Sequence, residues 1–403
     1  MRAPLTTSFV VLILGCGGSE GADETASSSS TGAGSGVSSS AASGGGGGSS
    51  SSSGGTGGSG GTGGDPGVPV IMAAGGLGRT VMSCDGGQTW KNDQSDDDDA
   101  ECDDQSVDCA HGALVTRGLT FHRGRAYVVS GWTHVNSLPG DGLLRATDDG
   151  ITFIEVRDGL GSGGLASSPT ALILGPASGS PDGERSTDGG ATWSGPIEML
   201  FNSWNLRRLD YVGRAGIFVS QGDGGPFDPD NGFAMSIDDG QTFVRPSAYP
   251  PECGIKMRIE GGFGGMTGLL LLASDDGILC TTVDDGATWS VTDLGHTGLS
   301  HVVSHDDAIE VWTRGKRHRT TDGVTFTAAD MTDDNLALGP VAYDPVHGTY
   351  AAVNRGYGAS YDAQRFYVSQ DGLEWDELDA QDSVRSHPIT QLRFGHLAAG
   401  ACE

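Results

Sequence analysis

The sequence predicts an all-β fold, a single seven-bladed β-propeller of four-stranded antiparallel blades, and three observations predict it. A short turn pattern, hydroxyl-x-Asp-x-Gly-x-Thr-aromatic, recurs seven times: SCDGGQTW at 83–90, ATDDGITF at 146–153, STDGGATW at 186–193, SIDDGQTF at 236–243, TVDDGATW at 282–289, RTTDGVTF at 319–326 and VSQDGLEW at 368–375. Its glycines stand roughly 40–60 residues apart, the period of a fold that repeats one small sheet per unit. Residues 68–403 are long enough for seven such units of roughly 48 residues, closed into one domain.

Each turn has a physical cause. Asp85 accepts hydrogen bonds from the backbone that follows it, Gly87 supplies a positive φ, and Trp90 anchors the hairpin by packing between sheets. The same roles fall to Asp148, Gly150 and Phe153, to Asp188, Gly190 and Trp193, to Asp238, Gly240 and Phe243, and to Asp284, Gly286 and Trp289. Gly323 with Phe326 and Gly372 with Trp375 complete the series. The pattern resembles the Asp-box (BNR) repeat of sialidases, xyloglucan-degrading glucanases, sortilin-like receptors and photosystem assembly factors. The resemblance covers about residues 68–403. It implies that all seven boxes share one rim, away from the ligand-binding face. The second copy has Ala146 in the hydroxyl position, and the sixth and seventh carry Thr321 and Gln370 in place of Asp, so those last two turns are expected to be less tightly held. The family spans enzymes and pure binders, so the resemblance implies a fold more than an activity.

Within the second unit, residues 119–122 read as the inner strand, 126–130 as the next, 143–147 as the third and 152–156 as the outer, with the turn joining strands three and four. The first repeat begins only about fifteen residues before its turn, room for two strands before it and one after. Residues 389–394 are predicted to supply the missing inner strand and close the ring, leaving no free edge.

The front of the chain predicts an address. Residues 1–16, MRAPLTTSFVVLILGC, pair a basic start with an apolar run too short to span a bilayer. The end of this run resembles a bacterial lipobox. That resemblance implies a lipoprotein signal, acylation of Cys16, and a place in the cell envelope, at the outer membrane or cell surface. Residues 17–67 are almost entirely Ser, Gly, Ala and Thr, which read as a flexible, disordered tether. Its root-mean-square reach is roughly 40 Å.

The net charge is −29, and Arg2, Glu20, Asp23, Glu24 and Asp65 are the only charges before residue 68. Nearly all the acidity therefore sits on the propeller, which disfavours nucleic acid as a partner. A monomer is expected. Six cysteines remain after Cys16, an even number in an exported chain, and favour disulfides. Proximity pairs Cys102 with Cys109 and Cys253 with Cys280, leaving Cys84 and Cys402. No cofactor is expected. Two acidic stretches, 93–108 and 223–231 (Asp223, Asp228, Asp230, Asn231), have the oxygen density of a Ca²⁺ site but match no EF-hand loop.

Candidate ligand-binding residues lie on the loops opposite the boxes, where long second-to-third loops at 132–141, 222–231 and 355–365 converge. They are Trp132 and His134 in blade two, Trp204, Arg207 and Arg208 at the entry to blade four, Arg314, Lys316, Arg317 and Arg319 in blade six, and Arg355, Tyr357 and Tyr361 in blade seven. Aromatics and arginines together suit a glycan or protein ligand, stacking on rings and gripping a carboxylate. The Arg-Ile-Pro motif that the sialidase resemblance implies is absent, and no Tyr–Glu pairing is discernible, so no catalytic residue is assigned. A binding or scaffolding module is the expected function, with a glycoside hydrolase as the alternative.

Overall fold

The computed structural model describes residues 67–75, 79–94, 115–131, 143–157, 164–176, 182–200, 206–222, 232–246, 249–254, 262–274, 276–354, 365–378 and 389–403. They form seven antiparallel sheets, each one blade. The inner strands are Ile389–Leu397, Val115–His122, Leu165–Ser167, Leu206–Val212, Gly262–Met266, His301–Ser304 and Leu338–Asp344, and each lies beside the next around a closed ring.

Closure works as the sequence predicts. The C-terminal strand Ile389–Leu397 pairs antiparallel with Val68–Gly75, followed outward by Thr80–Ser83 and Lys91–Gln94. A disulfide between Cys84 and Cys402, with Cα atoms 6.0 Å apart, ties the first aspartate turn to the chain end. Cys253 and Cys280 form the second disulfide; Cys102 and Cys109 lie outside the described residues. Blade four departs from four full strands. Its sheet holds Leu206–Val212, Ile217–Gly222 and Gly232–Ser236, and the outer strand shrinks to a bridge between Met235 and Val244. Pro246, Pro250 and Pro251 follow that bridge and lack the N–H groups a longer ladder needs.

The core is seven apolar clusters, one at each blade–blade interface, and each aspartate-turn aromatic sits in a different one. Trp90 packs with Phe366 of blade seven, ring centroids 4.5 Å apart. Phe243 joins Ile173 of blade three, and Trp375 joins Trp312 of blade six. The turn glycines press on the same neighbours: a Cβ at Gly323 would lie 2.3 Å from Leu269 of blade five, and one at Gly87 2.6 Å from the Cβ of Ala351. The repeated turn is therefore the joint between blades, which is why the motif recurs irrespective of any ligand.

The turns come in two lengths, and this corrects the assignment made from sequence. In the longer form the hydroxyl, the carboxylate and the glycine are Ser83, Asp85 and Gly87. Asp85 accepts from Thr89 N at 2.9 Å and Thr89 Oγ1 at 2.6 Å, and Ser83 Oγ accepts from Gly87 N at 2.8 Å. Asp188, Asp238 and Asp284 repeat the arrangement. The second, sixth and seventh turns are one residue shorter. There Thr147, Thr320 and Ser369 supply the hydroxyl and Asp149, Asp322 and Asp371 the carboxylate. Asp148 is thus not the turn acceptor but pairs with Arg125, and Ala146 marks no lost hydroxyl. Nor are the sixth and seventh turns loosely held, because the carboxylate is present one position later: backbone hydrogen bonds from Thr325 and Val324 bring Asp322 down to about 2. The extra residue of the longer form is left-handed: Gly86, Gly189, Asp239 and Asp285 have φ of 74°, 75°, 61° and 54°.

Among the described residues no helix is long and apolar enough to cross a membrane.

Candidate functional site

Each inner strand runs toward the first hairpin of its blade and each third strand toward an aspartate turn, so those hairpins and turns share one face. A cavity of about 570 Å³ fills the propeller axis and is lined by all seven inner strands. Its lining runs from Asp210, His301 and Arg393 to hairpin residues such as Gly213, Arg214 and Thr267, so it extends toward the aspartate-turn face.

Charge gathers in this cavity from three blades. Asp210 of blade four accepts from Arg208 Nε at 2.7 Å through Oδ2, and Arg393 of the closing strand pairs with its Oδ1. Burial raises the Asp210 carboxyl, but the charges of Arg393 and Arg208 and their hydrogen bonds outweigh it and bring it down to about 2. The Arg208 guanidinium also lies over the Phe263 ring, 5.2 Å from its centroid. His301 enters from blade six. Burial first, then the charges of Arg208 and Arg393, pushes its imidazole well below its ordinary value, so it is neutral at pH 7.

Only part of the sequence-predicted site is brought together. Arg208 belongs to the cluster, holding Asp210 although it does not itself line the cavity. Arg207 lies in the same strand. Trp132, His134, Trp204, Arg355, Tyr357 and Tyr361 fall outside the described residues, as does the acidic stretch 223–231. In the other acidic stretch Asp93 pairs with Arg79 at 2.6 Å. Among the described residues no group of three His, Cys, Asp or Glu side chains is placed to hold a metal.

The blade-six cations do not share one mouth. Arg314 is exposed at the tight turn between strands two and three, but Lys316–Thr320 is the third strand itself, and its side chains alternate in direction. Lys316 pairs across the strand with Asp330. Arg317 reaches the backbone carbonyl of Asp371 in the neighbouring turn. Arg317 and Arg319 each place Nη1 3.5 Å from Oε1 of Glu310, a fully buried carboxylate in the second strand. Tyr350 of blade seven donates its hydroxyl to Glu310 Oε2 at 2.8 Å, and His305 Nε2 lies 3.2 Å from the same oxygen. A Tyr–Glu pair with two arginines therefore exists, although nothing in the sequence announced it. It is sealed between blades six and seven, and neither partner lines the cavity. Burial, then the charge on Glu310, pushes the Tyr350 phenol far above its ordinary value, opposite to what a phenolate nucleophile needs.

Sequence reasoning missed Asp210, His301 and Arg393. The signal was available: charged residues inside strands predicted to be innermost, in the runs RRLD at 207–210 and LRF at 392–394.

No family model matches the sequence, and no curated protein does. Solved structures share the fold. A GH74 xyloglucanase from Xanthomonas campestris superposes with a TM-score of 0.46 at 18% identity over 66% of this chain, which spans only 45% of that enzyme. YCF48 bound to D1 peptide gives 0.49 at 12% identity, over 72% of this chain and 90% of that one. The nidogen/laminin complex gives 0.43 at 10% identity, over 82% and 99%. These are likenesses of fold alone; the chain is a seven-bladed β-propeller whose axial cavity is lined by buried charged residues.

Proposed function

We propose that this chain is an exported, lipid-anchored Asp-box propeller that acts as a binding module, taking its ligand in the axial cavity. One observation carries the reading: Asp210, His301 and Arg393 line that cavity from three blades, with Arg208 holding Asp210, where apolar side chains would fill the space at lower cost. The leader and tether support display from a membrane, with Cys16 acylated and the propeller held off the surface. Fixed donors, a neutral imidazole and aromatic walls line the cavity and support a recognition role. The glycoside hydrolase reading survives as the alternative outcome of one experiment. The purified chain is screened against a glycan and peptide array and, in parallel, against fluorogenic glycosides. Retention of a ligand without turnover supports the module; hydrolysis lost on changing an axial residue overturns it. The anchor is tested separately by C16A, which should abolish labelling by a palmitate analogue and release the protein from membranes.

A further inference from the structure

We propose that the aspartate-turn face of blades four to seven docks a segment of another protein that combines lysine or arginine with aliphatic side chains. This goes beyond the axial ligand, because the surface lies outside the cavity. Among the described residues the five most exposed large apolar side chains are Val283, Ile237, Val346, Val244 and Val324, at 55–67%, and all belong to blades four to seven. Ile237, Val283 and Val324 stand in the aspartate turns of blades four, five and six. Val346 stands in the first hairpin of blade seven, and Val244 just past the blade-four turn. The inner strands of these four blades are consecutive neighbours in the ring. Apolar side chains scattered singly over a surface need no explanation, but a row of them on one face marks an interaction site. The fold does not call for this row. In the blade-five turn the hydrogen bonds run among Thr282, Asp284, Gly286 and Thr288 and leave Val283 out. Thr187 fills the same slot in blade three, so a polar residue serves the turn as well.

Charge names the partner. Asp238, Asp284, Asp322 and Asp371 bring one turn carboxylate from each of the four blades to the same face. Hydrogen bonds from Thr288 and Thr325 hold Asp284 and Asp322 below the ordinary carboxylate value, so both stay ionised. Asp285, exposed and left-handed at a φ of 54°, takes no part in the hydrogen bonds of its turn. Nearby arginines are already engaged, Arg214 with Asp306 and Arg319 with Asp307. Such a face repels anionic lipid, and it repels a second copy of a chain whose net charge is −29. Nor do the chain's own residues 17–67 suit it, since they contain no lysine or arginine and Val37 is their only large aliphatic side chain. A basic, aliphatic segment meets both demands: its cations face the turn carboxylates while its aliphatic side chains cover the exposed row.

Fluorescence anisotropy of a labelled peptide alternating lysine and valine, titrated with the full chain, tests this. A peptide of equal charge with serine in place of valine is the control, and vesicles of phosphatidylcholine with and without phosphatidylglycerol test lipid as the occupant. The lysine–valine peptide should bind at least about tenfold more tightly than the lysine–serine one. I237S/V283S/V324S/V346S should weaken it about tenfold or more with Tm unchanged, whereas I154S, on the outer strand of blade two, should bind as before. D285N keeps the turn, because asparagine accepts a left-handed φ, and should weaken binding about twofold. If the fourfold variant fails to fold, V283K decides: a cation set in the row should weaken binding about fivefold. Equal binding of the two peptides, or affinity untouched by the fourfold variant or by V283K, overturns the proposal and reduces the contact to net charge. Vesicle binding that the fourfold variant abolishes, without preference between the peptides, makes the face a membrane contact and overturns it too. So does silence from the lysine–valine peptide up to about 1 mM. None of the substituted residues lines the axial cavity, so every one of these outcomes leaves the axial reading where it stands.

Discussion

Two carboxylates in this propeller are each embraced by two arginines and accompanied by a histidine, and they do different work. Glu310 is sealed between blades six and seven, fully buried, with Tyr350, His305, Arg317 and Arg319 around it. Asp210 faces the axial cavity with Arg208, Arg393 and His301. In the sealed cluster every partner comes from the two blades it joins, so its product is a fixed blade–blade contact. In the open cluster the partners come from blades four, one and six, and water or a ligand can reach Arg393. The same chemistry is thus structural where the walls close and available for recognition where they do not. Burial raises both carboxyls, and in both the surrounding donors and cations outweigh it.

The largest effect should come from removing residues 389–403. That segment supplies the inner strand of blade one, the Cys402 half of the ring-closing disulfide and Arg393 itself. Its loss should abolish cooperative unfolding, and the open site with it. C84A/C402A keeps the strand and loses only the cross-link, so it should cost about 2–5 kcal/mol and leave the ring folded at 25 °C. A truncated chain that melts like the intact one would sink the closure argument. Next, E310A should cost about 3–5 kcal/mol, because it removes a fully buried carboxylate that Tyr350, His305 and Arg317 all address. D210N should cost clearly less, since the cavity admits water to Arg393. Equal costs in chemical denaturation would erase the distinction between sealed and open.

How much of this was readable beforehand follows from which residues repeat. The turns recur because every blade must dock on the one before it, so Trp90, Phe243 or Gly323 betray the fold through a pattern repeated seven times. The strands of blade two and the closing strand followed from the same period. The one-residue difference in turn length was hidden, because ATDDG and SIDDG look alike until the hydrogen bonds show which aspartate faces the backbone. The cluster at Asp210 was hidden for a deeper reason. The Arg208–Asp210 pair, His301 and Arg393 are about 90 residues apart or more on three blades, and each occurs once; only ring closure makes them neighbours. The arginines of blade six drew attention as a dense run, yet alternation along a strand sends Arg317 and Arg319 to Glu310 and Lys316 to Asp330.

Acid should act on the axial cluster in two steps. His301 has a depressed folded value, so its contribution is present above the unfolded histidine value near 6.5 and is lost as pH falls toward its folded one. Asp210, at about 2 folded against an ordinary 3.8, contributes fully above pH 4 and is lost only as pH falls from there toward 2. Stability should therefore decline in two stages. H301Q should flatten the earlier stage by removing the channel's share of it, while the loss below pH 4 persists. Denaturation midpoints measured from pH 7 to 3 check this, and an unchanged slope above pH 4 in H301Q would show that the imidazole is not held neutral.

The smallest change is Y350F, and it asks the most of the sealed cluster. The Tyr350 hydroxyl donates to Glu310 Oε2, but His305 Nε2 also lies 3.2 Å from that oxygen, and the ring keeps its packing against Tyr343 and Trp312. Deleting one oxygen should thus cost about 1 kcal/mol and shift Tm by a few degrees or less. Ligand affinity at the cavity should not move, because Tyr350 does not line it. If the Tyr–Glu pair were instead a nucleophile and its base, the same variant would retain its fold and lose glycoside turnover entirely. The two readings predict opposite outcomes from a single missing hydroxyl. The decisive record is one set of measurements on wild type and Y350F: melting, affinity for the cavity ligand, and rate on a fluorogenic glycoside. A Y350F protein with intact binding, a slightly lower Tm and no activity to lose fits a sealed joint; a wild-type rate that disappears with the hydroxyl moves the function from the axis to the blade interface.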